Sequence, residues 1–321
     1  MRTEGHIAIA GAGYVGLTSA ACFCEMGHRV SLVEVNPERL AQLQAGDCPI
    51  YEPGLPELLR RYLGASLTVT SELRAAVTGA RALFVCVGTP PQVSGAPDLR
   101  ALRRLLRDLR DLRDLRASPD PPILVLKSTV PPGTNRMAYE FLGGRVPVVA
   151  NPEFLREGSA IDDFFHPDRV VVGSPDAEAA LLVAGLYSGV DAPLLVTGWE
   201  EAELIKYATN AFLAVKISFA NEMAALCDAL GSDASDVLKG LGLDRRVGPQ
   251  FLRPGPGYGG SCLPKDIRAL AWKARRAGVH LDLLLAAERG NRRQRERLLG
   301  RLTAGLGGDL SGKTVAVWGL A

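Results

Sequence analysis

The stretch that decides the fold is His6-Ile-Ala-Ile-Ala10, followed at once by Gly11-Ala12-Gly13-Tyr14-Val15-Gly16. The first five residues read as a short buried strand. Glycine at 11 permits the tight turn, glycine at 13 lets the backbone approach a pyrophosphate, and glycine at 16 lets the next helix pack close to the strand. That helix, expected over 15–26, aims its free N–H groups and positive dipole end at the phosphates, with Tyr14 and Val15 among the cofactor-binding residues. Gly27-His28 ends it, and 29–35 reads as the second strand, carrying Glu34. An acid about twenty residues past the glycines hydrogen-bonds the adenine ribose hydroxyls. Its charge repels a 2′-phosphate, so the expected cofactor is NAD rather than NADP. A glycine triplet alone matches many loops, but in the order strand, glycines, helix, strand, acid it is specific.

Outward from this core, strand-like runs recur at 67–70, 82–87, 123–127, 146–150 and 169–173, with helical patterns at 55–63 and 99–115. The alternation predicts an α/β protein whose N-terminal domain is a doubly wound, Rossmann-type parallel sheet. Ligands bind at the carboxyl ends of such strands. Gly88-Thr89-Pro90 and the segment 128–133 fall there. Leu99, Leu102, Leu105, Leu106, Leu109 and Leu112 keep a helical spacing, and the arginines of 100–116 interleave with Asp108, Asp111 and Asp114. This reads as a solvated amphipathic helix, not a polyanion site.

A chain of 321 residues suggests two domains and a piece of a third. The net charge of +2 makes no case for nucleic acid. No apolar run approaches the roughly 20 residues of a membrane span, and the N-terminus lacks the pattern of a signal peptide. The cysteines at 22, 24, 48, 86, 227 and 262 show neither paired metal spacing nor a disulfide framework. A reduced cytoplasmic protein without a structural metal is expected. Cys22, Cys24 and Cys86 read as small core residues.

After Thr197 the pattern changes. Residues 200–230 contain neither proline nor glycine and predict one long helix, with Lys206 and Asn210 four apart on one face. Ile205, Ala208, Phe212 and Leu213 give that face an apolar setting. The segment Phe251-Leu-Arg-Pro-Gly-Pro-Gly-Tyr-Gly-Gly-Ser-Cys-Leu-Pro-Lys-Asp266 is the most informative. Its glycines at 255, 257, 259 and 260 make a loop able to wrap a ligand. Ser261 is expected to cap a helix with Pro264 in its first turn. Cys262 then lies at a helix N-terminus, a setting that favours thiolates, with Asp266 one turn on.

At this point the chain resembles the UDP-glucose and GDP-mannose dehydrogenase family over essentially its whole length. The resemblance rests on GAGYVG at 11–16, YEPGL at 51–55, VGTP at 87–90, STVPPGT at 128–134, NPEFLREG at 151–158, ELIKYATNAFLA at 203–214 and PGYGGSCLPKD at 256–266. In this order the motifs are highly specific. The resemblance implies an NAD-linked, four-electron oxidation of a sugar CH2OH to a carboxylate. Cys262 would form a thiohemiacetal and then a thioester, with Lys206 and Asn210 stabilising the oxyanion, Glu153 as general base for hydrolysis, and Asp266 with Thr129 holding the reacting water. Arg39, Thr89, Pro90, Thr129, Glu157 and Lys265 would join the glycine motif and Glu34 around the cofactor. The substrate would meet Glu153, Phe154, Leu155, Arg156, Glu157, Lys206, Asn210, Phe251, Leu252, Arg253, Gly255, Tyr258, Gly259 and Cys262.

Tyr258 stands where members often have Phe, and Leu263 where UDP-glucose enzymes often have Phe. SCLPKD also fits GDP-mannose members. Residues 242–248 followed by Phe251-Leu252 fit the UDP-glucose branch more closely and decide for UDP-glucose, oxidised to UDP-glucuronate. GDP-mannose or a UDP-N-acetylhexosamine is the alternative substrate, and an inactive NAD-binding, dimerising module the alternative role. The implied organisation is an NAD-binding domain at 1–195 and a helical central domain for dimerisation and catalysis at 196–300. Residues 301–321 would begin a third, α/β domain that binds the nucleotide of the substrate, its first strand lying at 314–320. Without more of that domain the chain is expected to bind NAD but to turn over UDP-glucose very slowly or not at all, and the strand to favour aggregation.

Overall fold

A computed structural model describes residues 5–112 and 120–318. The last residues of the helix expected over 99–115, with Asp114 and Arg116 of the basic run, lie outside them. The elements run β1 (His6–Ala10), α1 (Tyr14–Glu25), β2 (Arg29–Val33), α2 (Pro37–Gln44), α3 (Leu55–Tyr62), β3 (Leu67–Thr70), α4 (Leu73–Val77), β4 (Ala82–Val85) and α5 (Arg100–Asp111). Then come β5 (Ile123–Leu126), α6 (Thr134–Phe141), β6 (Val148–Ala150), α7 (Ala160–Phe165), β7 (Val170–Gly173), α8 (Ala177–Gly185) and β8 (Leu194–Thr197). Helices α9 (Trp199–Leu230), α10 (Ala234–Gly242), α11 (Leu263–Arg276) and α12 (Asp282–Gly305) complete the described chain.

The strands form one eight-stranded sheet in the order β3-β2-β1-β4-β5-β6-β7-β8. Alternate residues of β1 enter different cores: Ile7 and Ile9 pack with Leu17, Phe23, Leu32 and Phe84, while Ala8 and Ala10 pack with Leu102, Leu106, Leu124 and Leu126. Both faces are covered, which is why the strands read as continuous apolar runs. Phe23 lies against the rings of Phe84, Phe164 and Tyr187 at centroid distances of 5.1, 5.2 and 5.4 Å. Phe23→Ala is therefore expected to lower the unfolding free energy by about 3–5 kcal/mol. Urea denaturation checks this, and a loss below 1 kcal/mol would show that the site collapses to fill the space.

The sheet departs from the expected parallel arrangement at one place. β6 pairs antiparallel with β7 through Ala150 and Gly173, while β7 and β8 are parallel. The chain leaves β6 at its carboxyl end and turns back without crossing the sheet, so residues 151–169 stay at the end where ligands bind. β2 stops at Val33, which puts Glu34 just beyond the strand. α2 and β8 were not expected. β8 is one of the two sheet edges, with Leu194, Leu195 and Val196 exposed. The strand expected at 314–320 is also corrected: through Trp318 the described residues form no strand, and Val315, Val317 and Trp318 are exposed. A β-rich run holds extended pairing only where it meets a partner edge.

The chain divides into two compact units. The first comprises Met1–Pro90 and Pro97–Lys206, and the second Pro91–Ala96 and Tyr207–Ala321. The division falls inside α9, whose first turn carries Glu200 and Glu201 opposite the positive end of the helix dipole. The second unit packs around Ala214, Tyr258, Ile267 and Leu284.

Candidate active site

In the first unit the glycine turn has the geometry its sequence calls for. Gly11 has φ +102°, and an added Cβ would lie 2.7 Å from the Cys86 carbonyl oxygen. A Cβ on Gly16 would collide with the Gly11 carbonyl oxygen, whereas Gly13 has nothing within 4 Å and leaves its backbone open to a ligand. Beside the turn lies a cleft of about 460 Å³ bordered by Gly11, Glu34, Val35, Gly88, Pro90 and Arg104. Glu34 is buried at its rim. Its Oε2 accepts from the Ala12 amide at 3.3 Å and its Oε1 from the Asn36 amide at 2.7 Å. Arg39 Nη1 stands 3.9 Å away. An open glycine backbone at a helix start, with a fixed carboxylate at the end of β2, fits a dinucleotide with a free 2′-hydroxyl.

Calorimetry is expected to show NAD binding about a hundredfold more tightly than NADP, or about 2.8 kcal/mol. Glu34→Ala should narrow that ratio below about tenfold. Equal affinity of the unmodified chain for both would remove Glu34 from this role.

Tyr14, at the start of α1, donates its hydroxyl to the Glu52 carboxylate. Burial first, then Glu52, pushes the phenol above its ordinary pKa, so it stays a donor. Glu52 also accepts from the amides of Gly158 and Ala160, each at 2.8 Å. The glycine turn is thereby tied to the 156–160 loop. Thr89 Oγ1 donates to the Thr129 carbonyl at 2.9 Å, while Arg39 and Glu157 are exposed.

The 151–156 segment is held in the same way. Asn151 Oδ1 accepts from Lys127 Nζ at 3.0 Å and from the Tyr187 hydroxyl at 2.6 Å. Next to it, Glu153 Oε2 accepts from the Leu155 amide at 2.8 Å, and Oε1 lies 3.1 Å from Lys206 Nζ. Both ends of this ion pair are buried. The Phe154 ring faces the Arg169 guanidinium at 3.8 Å and Lys206 Nζ at 5.4 Å. Glu153, Phe154 and Leu155 border a small cavity of about 40 Å³. Arg156 does not; its amide and guanidinium are both engaged by Asp163.

In the second unit Cys262 is the N-cap of α11 and is exposed. This corrects the expected cap, since Ser261 falls one position earlier, its Oγ 3.5 Å from the Cys262 sulfur. Asp266 follows one turn on and is only 1% exposed. Its Oδ2 accepts from Asn210 Nδ2 at 2.6 Å and its Oδ1 from Lys265 Nζ at 2.5 Å. The helix start therefore presents an exposed sulfur, with a hydrogen-bonded carboxylate and amide buried one turn on.

The glycine loop ahead of it is clasped from α9 and α12. Asn221 Oδ1 accepts from the Gly255 amide at 2.8 Å, and Gln294 Nε2 donates to the Gly255 carbonyl at 2.7 Å. Asn291 takes the Tyr258 amide at 2.8 Å and returns a bond to its carbonyl at 2.9 Å. The Tyr258 ring belongs to the core, where burial pushes its phenol up to about 12. Leu252 is buried too, and Arg253 and Gly259 are exposed. Phe251 alone among the described non-glycine residues has positive φ, at 63°. Glu52, Lys127, Asn221 and Asn291 were not singled out from sequence, each being an ordinary polar residue in its own segment. All six cysteines are free. Among the described residues no His/Cys/Asp/Glu group is placed to hold a metal, and no helix is long and apolar enough to cross a membrane.

The first unit thus carries an open glycine turn beside a cleft, and the second an exposed cysteine at a helix start. The UDP-glucose/GDP-mannose dehydrogenase family matches through its NAD binding domain at residues 5–191 and its central domain at 200–293. The chain belongs to that family. It is 45% identical to the UDP-glucose 6-dehydrogenase of Pseudomonas aeruginosa over 98% of this chain and 72% of that one. The solved UDP-glucose dehydrogenase of Pyrobaculum islandicum superposes with TM-score 0.90 at 41% identity, covering 95% of this chain and 72% of the other. For the GDP-mannose dehydrogenase of Pseudomonas aeruginosa the values are 0.71, 34%, 93% and 71%.

Proposed function

We propose that this nucleotide-sugar dehydrogenase oxidises the C6 alcohol of UDP-glucose to the carboxylate of UDP-glucuronate, using NAD and a covalent intermediate on Cys262. The observation that carries the reading is the exposed Cys262 at the start of α11, with Asp266 and Asn210 buried one turn behind it. NAD, which the glycine turn and Glu34 would hold, would supply the hydride acceptor for each of two oxidations. The alcohol first loses a hydride and a proton to become the aldehyde. The Cys262 sulfur adds to that aldehyde, giving a thiohemiacetal whose oxyanion is met by Lys206 and Asn210. Loss of the second hydride and the hydroxyl proton leaves a thioester. Glu153 takes a proton from water as it attacks, Asp266 and Thr129 orient that water, and the thiol is released. The net change is one alcohol, two NAD and one water to one carboxylate, two NADH and three protons.

UDP-glucose is favoured over GDP-mannose by the higher identity and TM-score of the UDP-glucose enzymes. A homodimer belongs to the same reading. α9 leaves Leu204, Phe212, Phe219, Leu226 and Leu230 exposed at helical spacing, an apolar stripe for a second copy to cover. Production of NADH is to be followed with UDP-glucose, GDP-mannose and UDP-N-acetylhexosamines, alongside sedimentation. Two NADH per UDP-glucose supports the reading, and preference for another sugar nucleotide overturns the substrate.

A further inference from the structure

Glu203 is 4% exposed and takes no part in the chemistry just described. It lies on α9 one turn before Lys206. Its Oε2 accepts from the Gly133 amide at 2.6 Å, and its Oε1 from the amide and side-chain nitrogen of Asn135 at 2.8 and 2.7 Å. Those donors straddle the start of α6, whose N-cap Gly133 sits at φ +92° with no side-chain cap of its own. One distant carboxylate thus satisfies two backbone amides at the start of α6 and closes the loop that begins at Ser128. Thr129, Asn135, Glu203 and Lys206 border the same pinhole of about 10 Å³.

We infer that Glu203 is a positioning residue for the reaction: its carboxylate keeps the 128–135 loop, and with it Thr129, in register with the helix turn that carries Lys206. The inference rests on the proposed roles of Thr129 and Lys206. A carboxylate accepts from three N–H groups, whereas a protonated carboxyl turns a donor toward them and loosens the clasp. The charged groups around it are Glu200 and Lys206 on α9, Glu153 paired with Lys206, and Arg136 on α6, which holds Glu200 at 2.7 Å. Burial, outweighing the Asn135 and Gly133 donors and helped by Glu200, raises Glu203 from 4.5 to about 7. The two pH trends therefore oppose each other. Because the folded value is raised, the stability linked to this group is present below about 4.5 and lost as pH rises through about 7. The clasp, and with it kcat, strengthens over the same rise.

The test compares the unmodified chain with Glu203→Gln and Asn135→Ala, using UDP-glucose and NAD between pH 5.5 and 9. Amide hydrogen exchange at Gly133 and Asn135 is read in parallel, corrected for intrinsic rates. In Glu203→Gln, kcat at pH 8 should fall about tenfold, the KM for NAD should hold within about twofold, and the acid limb near 7 should vanish. Protection of the two amides should fall about tenfold. In Asn135→Ala, which keeps the carboxylate but removes a donor to it, the limb should move to higher pH. An unchanged limb and unchanged protection in Glu203→Gln overturn the inference. If that variant does not fold, an unshifted limb in Asn135→Ala does so. Preference for another sugar nucleotide would defeat the proposed substrate instead, and amide protection in Glu203→Gln decides the clasp whatever the turnover.

Discussion

Cys262→Ser is expected to cut sugar oxidation at least about a thousandfold while leaving NAD affinity unchanged. A serine hydroxyl at the start of α11 is a far weaker nucleophile than a thiol, so the aldehyde is not captured for the second oxidation. The cleft proposed for NAD is bordered by residues of the first unit. Mass spectrometry after incubation with UDP-glucose and NAD should find the added mass on Cys262 alone, most strongly when Glu153→Gln slows hydrolysis. The competing thiols are disfavoured, since Cys22, Cys24, Cys86 and Cys227 are buried and Cys48 is half-buried. Burial also pushes the thiols of Cys22, Cys24, Cys48 and Cys86 up. Full activity in the serine variant, or an adduct on another cysteine, would end the covalent mechanism.

Lys206→Met should fail in two separable ways. Loss of a fixed donor to the developing oxyanion is expected to cost about a hundredfold to a thousandfold in kcat. It also strands the buried Glu153 carboxylate, which stands 3.1 Å from the lysine nitrogen. Breaking such a pair from one side costs about 3–5 kcal/mol. Adding Glu153→Gln removes the orphaned charge, so the double variant should regain most of the stability and none of the turnover. Urea midpoints and single-turnover rates measure the two effects independently. A single variant as stable as the parent would mean that the pair is not buried in solution.

What was legible in the sequence is what acts over a few residues. The glycine turn, Glu34 and Cys262 are each specified by neighbours within one strand-turn-helix unit, and Lys206 with Asn210 by a single helical turn. Even there the cap was misplaced by one residue, because Ser261 and Cys262 stand side by side and only the backbone decides which begins the helix. The residues that hold the site together were not legible. Glu203 meets Asn135 across 68 positions, Glu52 meets Ala160 across 108, and Asn291 meets Tyr258 across 33. A buried glutamate serving distant amides has the same local pattern as a solvated one. The β6–β7 reversal was hidden for a related reason, since strand direction leaves no mark on the apolar period.

The clasp between the glycine loop and α12 bears on how such a chain can vary. Gly257 has φ +109°, and a Cβ there would collide with Asn291 Oδ1. The same oxygen holds the Tyr258 amide. Position 257 is closed twice over, because a side chain is strained at this φ and would also meet Asn291, while a shorter residue at 291 releases the loop beside Cys262. Neither single step is neutral. Across related sequences both residues should therefore be retained, so that a lineage moving to a different sugar nucleotide is freer to change residues on the open surface of the loop than the hidden pair beneath it.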